Sequence, residues 1–118
     1  MGAPSGAAVK FVIPQVVLPS KRSAAWEGMA AMTIRSLNVR RVTFHDLAWV
    51  RAAFYLADMR IGDLHAYEQA LADAMESSGL IDNDKQIASW DGSRRYLDRK
   101  NPRVEFEIVD FDGEPEVI

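Results

Sequence analysis

The segment RIGDLHAYEQALADAMESSGLIDNDKQI, residues 60–87, carries the clearest periodic pattern in the chain. Its apolar side chains recur at steps of three and four residues, as on one face of a helix. They are Leu64, Tyr67, Leu71 and Met75. Asp63 is a favourable N-cap residue, and Gly79 stands where a helix C-cap would fall. The pattern predicts one amphipathic helix over residues 63–78, with Asp63 at the positive end of its dipole.

Three further elements are predicted before this helix. Residues 9–18 are apolar and β-branched, and Pro14 predicts an edge strand or a strand broken at that point, because proline cannot donate to a ladder. Residues 23–37 have helical apolar spacing and predict a second helix. Residues 39–46 predict a weak strand or a loop, and residues 47–59 predict a central strand that leads to Asp63.

The chain after the main helix is predicted to be strand-rich. Residues 85–97 predict a strand with a kink or a hairpin at Asp91-Gly92, and residues 101–103 predict a turn. Residues 104–111 alternate between apolar and polar side chains, as a half-buried strand does. The element order predicts an α/β or α+β fold, in which a small mixed β-sheet packs with two main helices.

Length and composition limit the class of protein. With 118 residues, 48% of them apolar, the chain predicts a single domain over residues 1–118 with a modest core. Within it, residues 1–8 predict a flexible N-terminus and residues 112–118 an acidic end. The absence of cysteine excludes disulfides and thiolate zinc sites. No apolar run reaches transmembrane length and no export signal is recognisable, so we expect a cytoplasmic protein that does not bind a membrane.

Charge is distributed unevenly along the sequence. The net charge is −3, but the last fourteen residues hold six acidic side chains and no Lys or Arg. The rest of the chain therefore has more basic than acidic residues. This distribution permits contact between nucleic acid and a local basic patch, although it does not by itself predict such contact.

The order of these features resembles the RusA family of Holliday junction resolvases. The resemblance rests on a strand, then Asp63-Leu64, a helix with Asp73 in its second half, Gly79, an acidic turn ending in Asp84, and Gln86-Ile87. The family's early motif, an apolar strand followed by basic residues, is echoed by Phe11-Val-Ile-Pro and by Pro19-Ser-Lys-Arg22. The resemblance covers nearly the whole chain, but only residues 63–87 match specifically.

The resemblance implies a homodimeric, magnesium-dependent endonuclease that cuts branched DNA in recombination or repair, of a kind often encoded by phages or prophages. The family motif Asp-Leu-Asp-Asn-x-x-Lys, with a later aspartate, implies active-site roles for two aspartates of this chain, Asp63 and Asp84. The motif's second aspartate falls on His65, its asparagine on Ala66 and its lysine on Gln69. We therefore expect Asp63, Asp84 and His65 to be the catalytic and metal-binding residues.

The departures from the motif have chemical consequences. Mg²⁺ prefers oxygen ligands, so His65 in place of a carboxylate should weaken Mg²⁺ binding and favour a metal such as Mn²⁺. Gln69 in place of lysine removes a cation that could stabilise charge on the phosphoryl oxygens. The alternatives are a working nuclease with altered metal preference, a weak one, or a catalytically impaired protein that binds branched DNA or a host protein without cutting.

Helix length gives a separate expectation about the dimer. A helix of about sixteen residues places Asp63 about 24 Å from its far end. Residues 79–84 extend at most about 3.5 Å each and could barely return that distance. If Asp63 and Asp84 share a metal, we expect the second carboxylate to come from another subunit across a two-fold axis.

Basic side chains supply the candidate DNA contacts. Lys21, Arg22 and Arg60 flank the expected site and are candidates for binding phosphates, which dominate DNA affinity without sequence preference. Arg94 and Arg95 belong to the densest basic run, in which Tyr96 is interleaved. The alternative for each is ordinary surface charge. Asp63 could likewise be only a helix cap, Asp84 a solvated turn residue and His65 a surface histidine.

Overall fold

The computed structural model describes residues 4–14, 23–60 and 62–111. These residues form five strands, two α-helices and one turn of 3₁₀ helix at Asp84–Gln86. In chain order the strands and α-helices are β1 (Pro4–Ile13), α1 (Ser23–Leu37), β2 (Ala48–Leu56), α2 (Leu64–Ser78), β3 (Ile87–Ser89), β4 (Arg94–Leu97) and β5 (Arg103–Phe111).

The strands form one mixed sheet. Its order is β1-β5-β2-β3, and β4 also pairs with β2, further along the same edge. β5 is antiparallel to both β1 and β2, whereas β3 and β4 run parallel to β2. The prediction of a small mixed sheet with two helices is therefore confirmed, and the fold is of the α+β kind.

Most of the predicted elements are found at the expected places. α1 covers the predicted residues 23–37, and α2 begins after its cap Asp63 and ends at Gly79, which has a φ of 82°. β1 ends just before Pro14, as the missing proline N–H suggests. Residues 39–46 form no strand, and the loop alternative is correct apart from one isolated bridge between Phe44 and Ile81.

One expectation about local structure is wrong. The hairpin alternative for residues 85–97 is excluded, because β3 and β4 run in the same direction along β2. The kink alternative is correct. Residues 4–8 of the predicted flexible N-terminus belong to β1, whose pairing with β5 shifts register between Ser5 and Val9, and their flexibility stays a prediction. The end of the chain, residues 112–118, lies outside the described residues, as do the predicted strand residues 15–18.

A tight turn produces the kink between β3 and β4. The Ser93 N–H donates to Trp90 O at 3.0 Å, and Gly92 has a φ of 88°, a conformation that suits glycine. A Cβ atom at Gly92 would lie 2.6 Å from Cδ of Arg51. The buried Ser93 hydroxyl then accepts a hydrogen bond from the Ala52 N–H at 3.0 Å, so β2 stays satisfied where the neighbouring strand is interrupted.

The core lies between the helices and one face of the sheet. On β2 the even-numbered residues are buried and the odd-numbered residues 49–55 are partly or largely exposed. Among the largest fully buried side chains are Tyr67, Phe54, Ile13, Ile34, Leu71 and Met75. The rings of Phe54 and Tyr67 lie 5.6 Å apart and join β2 to α2. None of the helices in the described ranges is long and apolar enough to cross a membrane.

Candidate functional site

Asp63 stands at the N-terminus of α2 and acts as its cap. Its backbone is extended, with φ −108° and ψ 172°, and its Oδ1 accepts a hydrogen bond from the Ala66 N–H at 2.9 Å. This bond satisfies one of the backbone donors that a helix leaves free at its first turn. The side chain is otherwise exposed. One carboxylate oxygen is thus engaged with the helix and the other faces solvent.

β4 supports the loop that leads to Asp63. The Arg95 guanidinium donates to Met59 O at 3.2 Å and to Gly62 O at 3.0 Å. Arg60 forms a two-point ion pair with Asp58, and its side-chain and backbone hydrogen bonds lower the pKa of Asp58 to about 2. The loop is therefore held on both sides, by Arg95 and by its own ion pair.

A polar stripe runs along α2 beyond Asp63. The Gln69 side-chain amide donates from Nε2 to Asp73 Oδ1 at 3.1 Å, one helical turn further on. The same nitrogen donates to Asp84 Oδ2 at 3.2 Å. Gln69 therefore sits between two carboxylates, one from the helix and one from the acidic turn. Because the amide is neutral, it satisfies their hydrogen bonding without neutralising their charge.

The acidic turn is fixed by a capping box around Asp84. Asn83 accepts a hydrogen bond from the Lys85 N–H, and Gln86 Oε1 accepts from the N–H groups of Asp82 and Asn83 at 2.6 and 2.7 Å. The Gln86 amide nitrogen then donates to Phe44 O at 2.7 Å and to Asp46 O at 2.9 Å. Gln86 thereby connects the turn to the loop before β2.

Glu76 ties the same turn to α2, since its Oε1 accepts from the Asp84 N–H at 3.0 Å. The Asp84 side chain also meets the side chain of Gln69, which lies in the first half of α2. Asp84 is thus connected to both halves of α2 within one protomer. Asp84 makes no hydrogen bond with Asp63 among the described residues, so the expectation that a second subunit would bring these two carboxylates together stays a prediction. Homodimerisation remains an expectation from the resemblance.

The three predicted metal ligands occupy different parts of this region. His65 is exposed on the first turn of α2, where it is close enough to Glu68 to oppose the rise in the Glu68 pKa that burial causes. Within the described ranges, no three His, Cys, Asp or Glu side chains are placed to share a metal ion. Asp63, His65 and Asp84 therefore remain predicted ligands.

The donor chemistry nevertheless suits a hard cation. Asp73 and Asp84 each have an oxygen within 3.2 Å of one nitrogen, Gln69 Nε2, which marks a point that two carboxylates approach together. Mg²⁺ is commonly held by one or two carboxylates, with water and substrate phosphate completing its coordination. Asp73 and Asp84 are carboxylates of this kind, but their oxygens accept hydrogen bonds from Gln69 Nε2, and no group of three ligands forms within the described ranges. The sequence does not predict that Asp73 and Asp84 approach the same side chain, because the position of Asp84 depends on the path of the turn.

The predicted DNA-binding residues are in three situations. Lys21 and Arg22 lie outside the described residues. Arg60 is paired with Asp58, and Arg95 is bonded to the loop before Asp63, so both have protein partners already. Arg94 is exposed and forms no ion pair within the part of the chain that the structure describes.

An ion pair that was not predicted from the sequence lies beside the acidic turn. His45 Nδ1 lies 2.7 Å from Asp82 Oδ2, and this hydrogen bond, together with the Asp82 charge, raises the pKa of His45. The pair forms because the Phe44 N–H donates to Leu80 O at 2.8 Å, which brings two distant segments together. No pattern in the sequence signals this contact. The role of Gln86 was detectable, because Asn-x-x-Gln is a capping-box spacing.

Comparison of the chain with protein-family models and with curated protein sequences gives no match.

Proposed function

We propose that this chain is a RusA-like, metal-dependent endonuclease that cuts Holliday junctions or other branched DNA. The contact between Gln69 and Asp84 carries the proposal. The resemblance assigns these two positions, fifteen residues apart, to one active site. Their side chains meet at 3.2 Å in one protomer, which supports that assignment.

The surroundings of Asp84 add support. Its backbone N–H is held by Glu76 and its side chain by Gln69, so the carboxylate has a defined position beside α2. Asp63 is held at the start of the same helix by its cap hydrogen bond. Preorganised side chains of this kind suit a catalytic site, because no energy is then spent on ordering them during the reaction.

In this proposal Asp63 and Asp84 from opposite subunits of a dimer hold Mg²⁺ or Mn²⁺, with His65 as a third ligand. When bound, the metal would supply Lewis-acid stabilisation of the phosphodiester and a water molecule of lowered pKa. The protein side chains hold the carboxylates in place, and Arg94 offers a free cation for a DNA phosphate. A homodimer would present two such sites, which suits paired cuts in a symmetric four-way junction.

A second candidate is a protein on the same scaffold that does not cut. It is favoured by the neutral Gln69 amide, which occupies the space between Asp73 and Asp84 where the family motif has a lysine. Such a protein would bind branched DNA, or a host protein, without hydrolysing the backbone.

A cleavage assay separates the two candidates. The full chain is incubated with a labelled four-way junction in Mg²⁺ and in Mn²⁺, beside Asp63→Asn and Asp84→Asn. Asp110→Asn is the matched control, because this exposed carboxylate at the end of β5 makes no ion pair with another described residue. We expect each site variant to lose about 10²-fold or more of the rate, as removal of one charge-stabilising group does elsewhere. Asp110→Asn should cut like the unmodified chain.

A double variant that restores the family motif is tested in the same assay. His65→Asp combined with Gln69→Lys should raise cutting in Mg²⁺ relative to Mn²⁺, because a carboxylate suits Mg²⁺ better than imidazole does. Junction binding without cutting in either metal would instead support the second candidate. Equal cutting by the unmodified chain and both asparagine variants would refute the site.

A further inference from the structure

The face of the sheet turned away from the helices is not covered by either described helix, and we call it the open face. It is formed by the odd-numbered residues of β2 and their neighbours on the adjacent strands. Its side chains include Lys10, Arg51, Ala53, Tyr55, Arg94, Tyr96, Arg103, Glu105 and Glu107. Two of these are tyrosines and four are cationic, so the face offers both planar and positively charged groups.

A stacked row crosses the open face at the β4 end. Tyr55 pairs in register with Tyr96 on one side and with Arg103 on the other. The two tyrosine rings lie 5.1 Å apart with an angle of 20° between their planes, and the Arg103 guanidinium lies 3.8 Å from the Tyr55 centroid. Tyr55 is therefore sandwiched, whereas Tyr96 ends the row and is 40% exposed. One flat aromatic surface is left available to another planar group.

A depression adjoins Tyr96 on the same face. It has a volume of about 340 Å³, and its lining includes Tyr96, Ala53, Arg51 and Glu105. The volume is at the lower end of the range, roughly 300–1,000 Å³, found for small-molecule pockets. A single planar group can lie in it against the Tyr96 ring.

The charges on the open face favour an anionic partner. Arg51 is paired with Glu107 at 2.6 Å, whereas Arg103 is shared between Glu105 and Asp98, which leaves one carboxylate charge in excess there. Lys10 and Arg94 make no ion pair with any described residue, so the charges named here sum to one positive charge in excess. A second copy of the chain would have to bury these charges, and the centres of protein interfaces are depleted in charged residues.

We propose that the open face binds an unpaired stretch of nucleic acid, with a base stacked on Tyr96 and phosphates held by Arg94 and Lys10. Bases of single strands stack on exposed aromatic rings beside a cationic groove in this way. The inference rests on the proposed function and adds to it. β4 joins the two sites, because Arg95 holds the loop before Asp63 while Tyr96 faces the opposite side of the sheet.

The test uses a short single-stranded oligonucleotide with one 2-aminopurine base, whose fluorescence is quenched by stacking. Binding to the full chain is compared with Tyr96→Ala, Tyr96→Phe and Leu97→Ala. Leu97 is the matched control, because it is the next residue of β4, is 48% exposed and points to the other face. We expect Tyr96→Ala to weaken binding about tenfold and to reduce the quenching, as loss of one stacked base does. Tyr96→Phe and Leu97→Ala should behave like the unmodified chain.

Two results would overturn the inference. One is equal binding and quenching for the unmodified chain and Tyr96→Ala. If neither protein binds the oligonucleotide, that counts as the same result. The other is conversion of a dimer to a monomer by Tyr96→Ala in sedimentation, which would assign the open face to a second copy. Cleavage by the same proteins is scored separately. Cutting without dependence on Tyr96 would reject this inference alone, and Tyr96-dependent quenching without cutting would reject the nuclease alone.

Discussion

The acidic side of α2 and the open face of the sheet differ in both charge and origin. On α2, carboxylates gather around the neutral Gln69, and the contacts come from helical spacing and a nearby turn. On the open face, Arg103, Tyr55 and Tyr96 stack across three strands, of which β2 is distant in sequence from β4 and β5. The first surface suits a cation, and the second suits an anionic strand with exposed bases.

The acidic side of α2 and the open face therefore have different proposed roles within one small domain. A nuclease needs carboxylates for its metal, but carboxylates repel DNA phosphates unless cations lie nearby. In the proposed functions the two requirements would be met on opposite sides of β4, a short strand that contributes Arg95 to one side and Tyr96 to the other. The proposed functions therefore depend on the correct placement of β4.

Disrupting the attachment of β4 should have the largest effect on stability. Ser93→Ala removes the hydroxyl that accepts from the Ala52 N–H and leaves a buried donor unsatisfied. We expect a loss of about 2 kcal/mol in the free energy of unfolding, measured by urea denaturation. Ser89→Ala, which loses only a hydrogen bond from the Asp91 N–H at an exposed turn, should cost less than about 0.5 kcal/mol. Equal losses for the two variants would contradict this role of Ser93.

A smaller effect should separate the two roles of Asp63. Asp63→Ala removes the cap and should cost about 1 kcal/mol, whereas Asp63→Ser keeps a cap and should cost only a few tenths. Cutting should be lost in both variants, because neither retains a carboxylate. If Asp63→Ser cuts normally, Asp63 is a cap and not a ligand.

The smallest expected effect concerns the pair of His45 and Asp82 at the edge of the acidic side. Since the folded-state pKa of His45 is raised above 6.5, the pair contributes stability below about pH 6.5 and loses it as the pH rises through the folded-state value. Asp82→Asn should therefore lower the melting temperature more at about pH 5.5 than at about pH 8.5. Asp91→Asn, a turn carboxylate that makes no ion pair with a described residue, should show no such pH dependence.

Much of the fold could be predicted from local patterns. The bounds of α1 and α2, the end of β1 at Pro14 and the central position of β2 follow from helical spacing, caps, proline and apolar runs. The direction of β4 could not be predicted. A kink and a hairpin would both place these residues in strands, so the sequence pattern is the same for each. Only the pairing of β4 with β2 decides the direction of β4.

The candidate site was predictable only in part. The sequence pointed to Asp63 and Asp84 as candidates, but their relation within one chain depended on how the segment after Gly79 returns along α2. The contact between Asp84 and Gln69 depends on that path and has no local signal in the sequence. The contact of His45 with Asp82 was missed for the same reason, since it joins residues with no shared pattern.

By itself, the sequence determined the elements whose causes are local: a cap at Asp63, a left-handed end at Gly79, a break at Pro14 and two amphipathic helices. Tertiary structure alone decided which side chains meet across those elements, namely Gln69 with Asp84 and Tyr96 with Tyr55 and Arg103. The physical reason is that backbone preferences act over a few residues. Strand register and loop path instead depend on how the whole core packs.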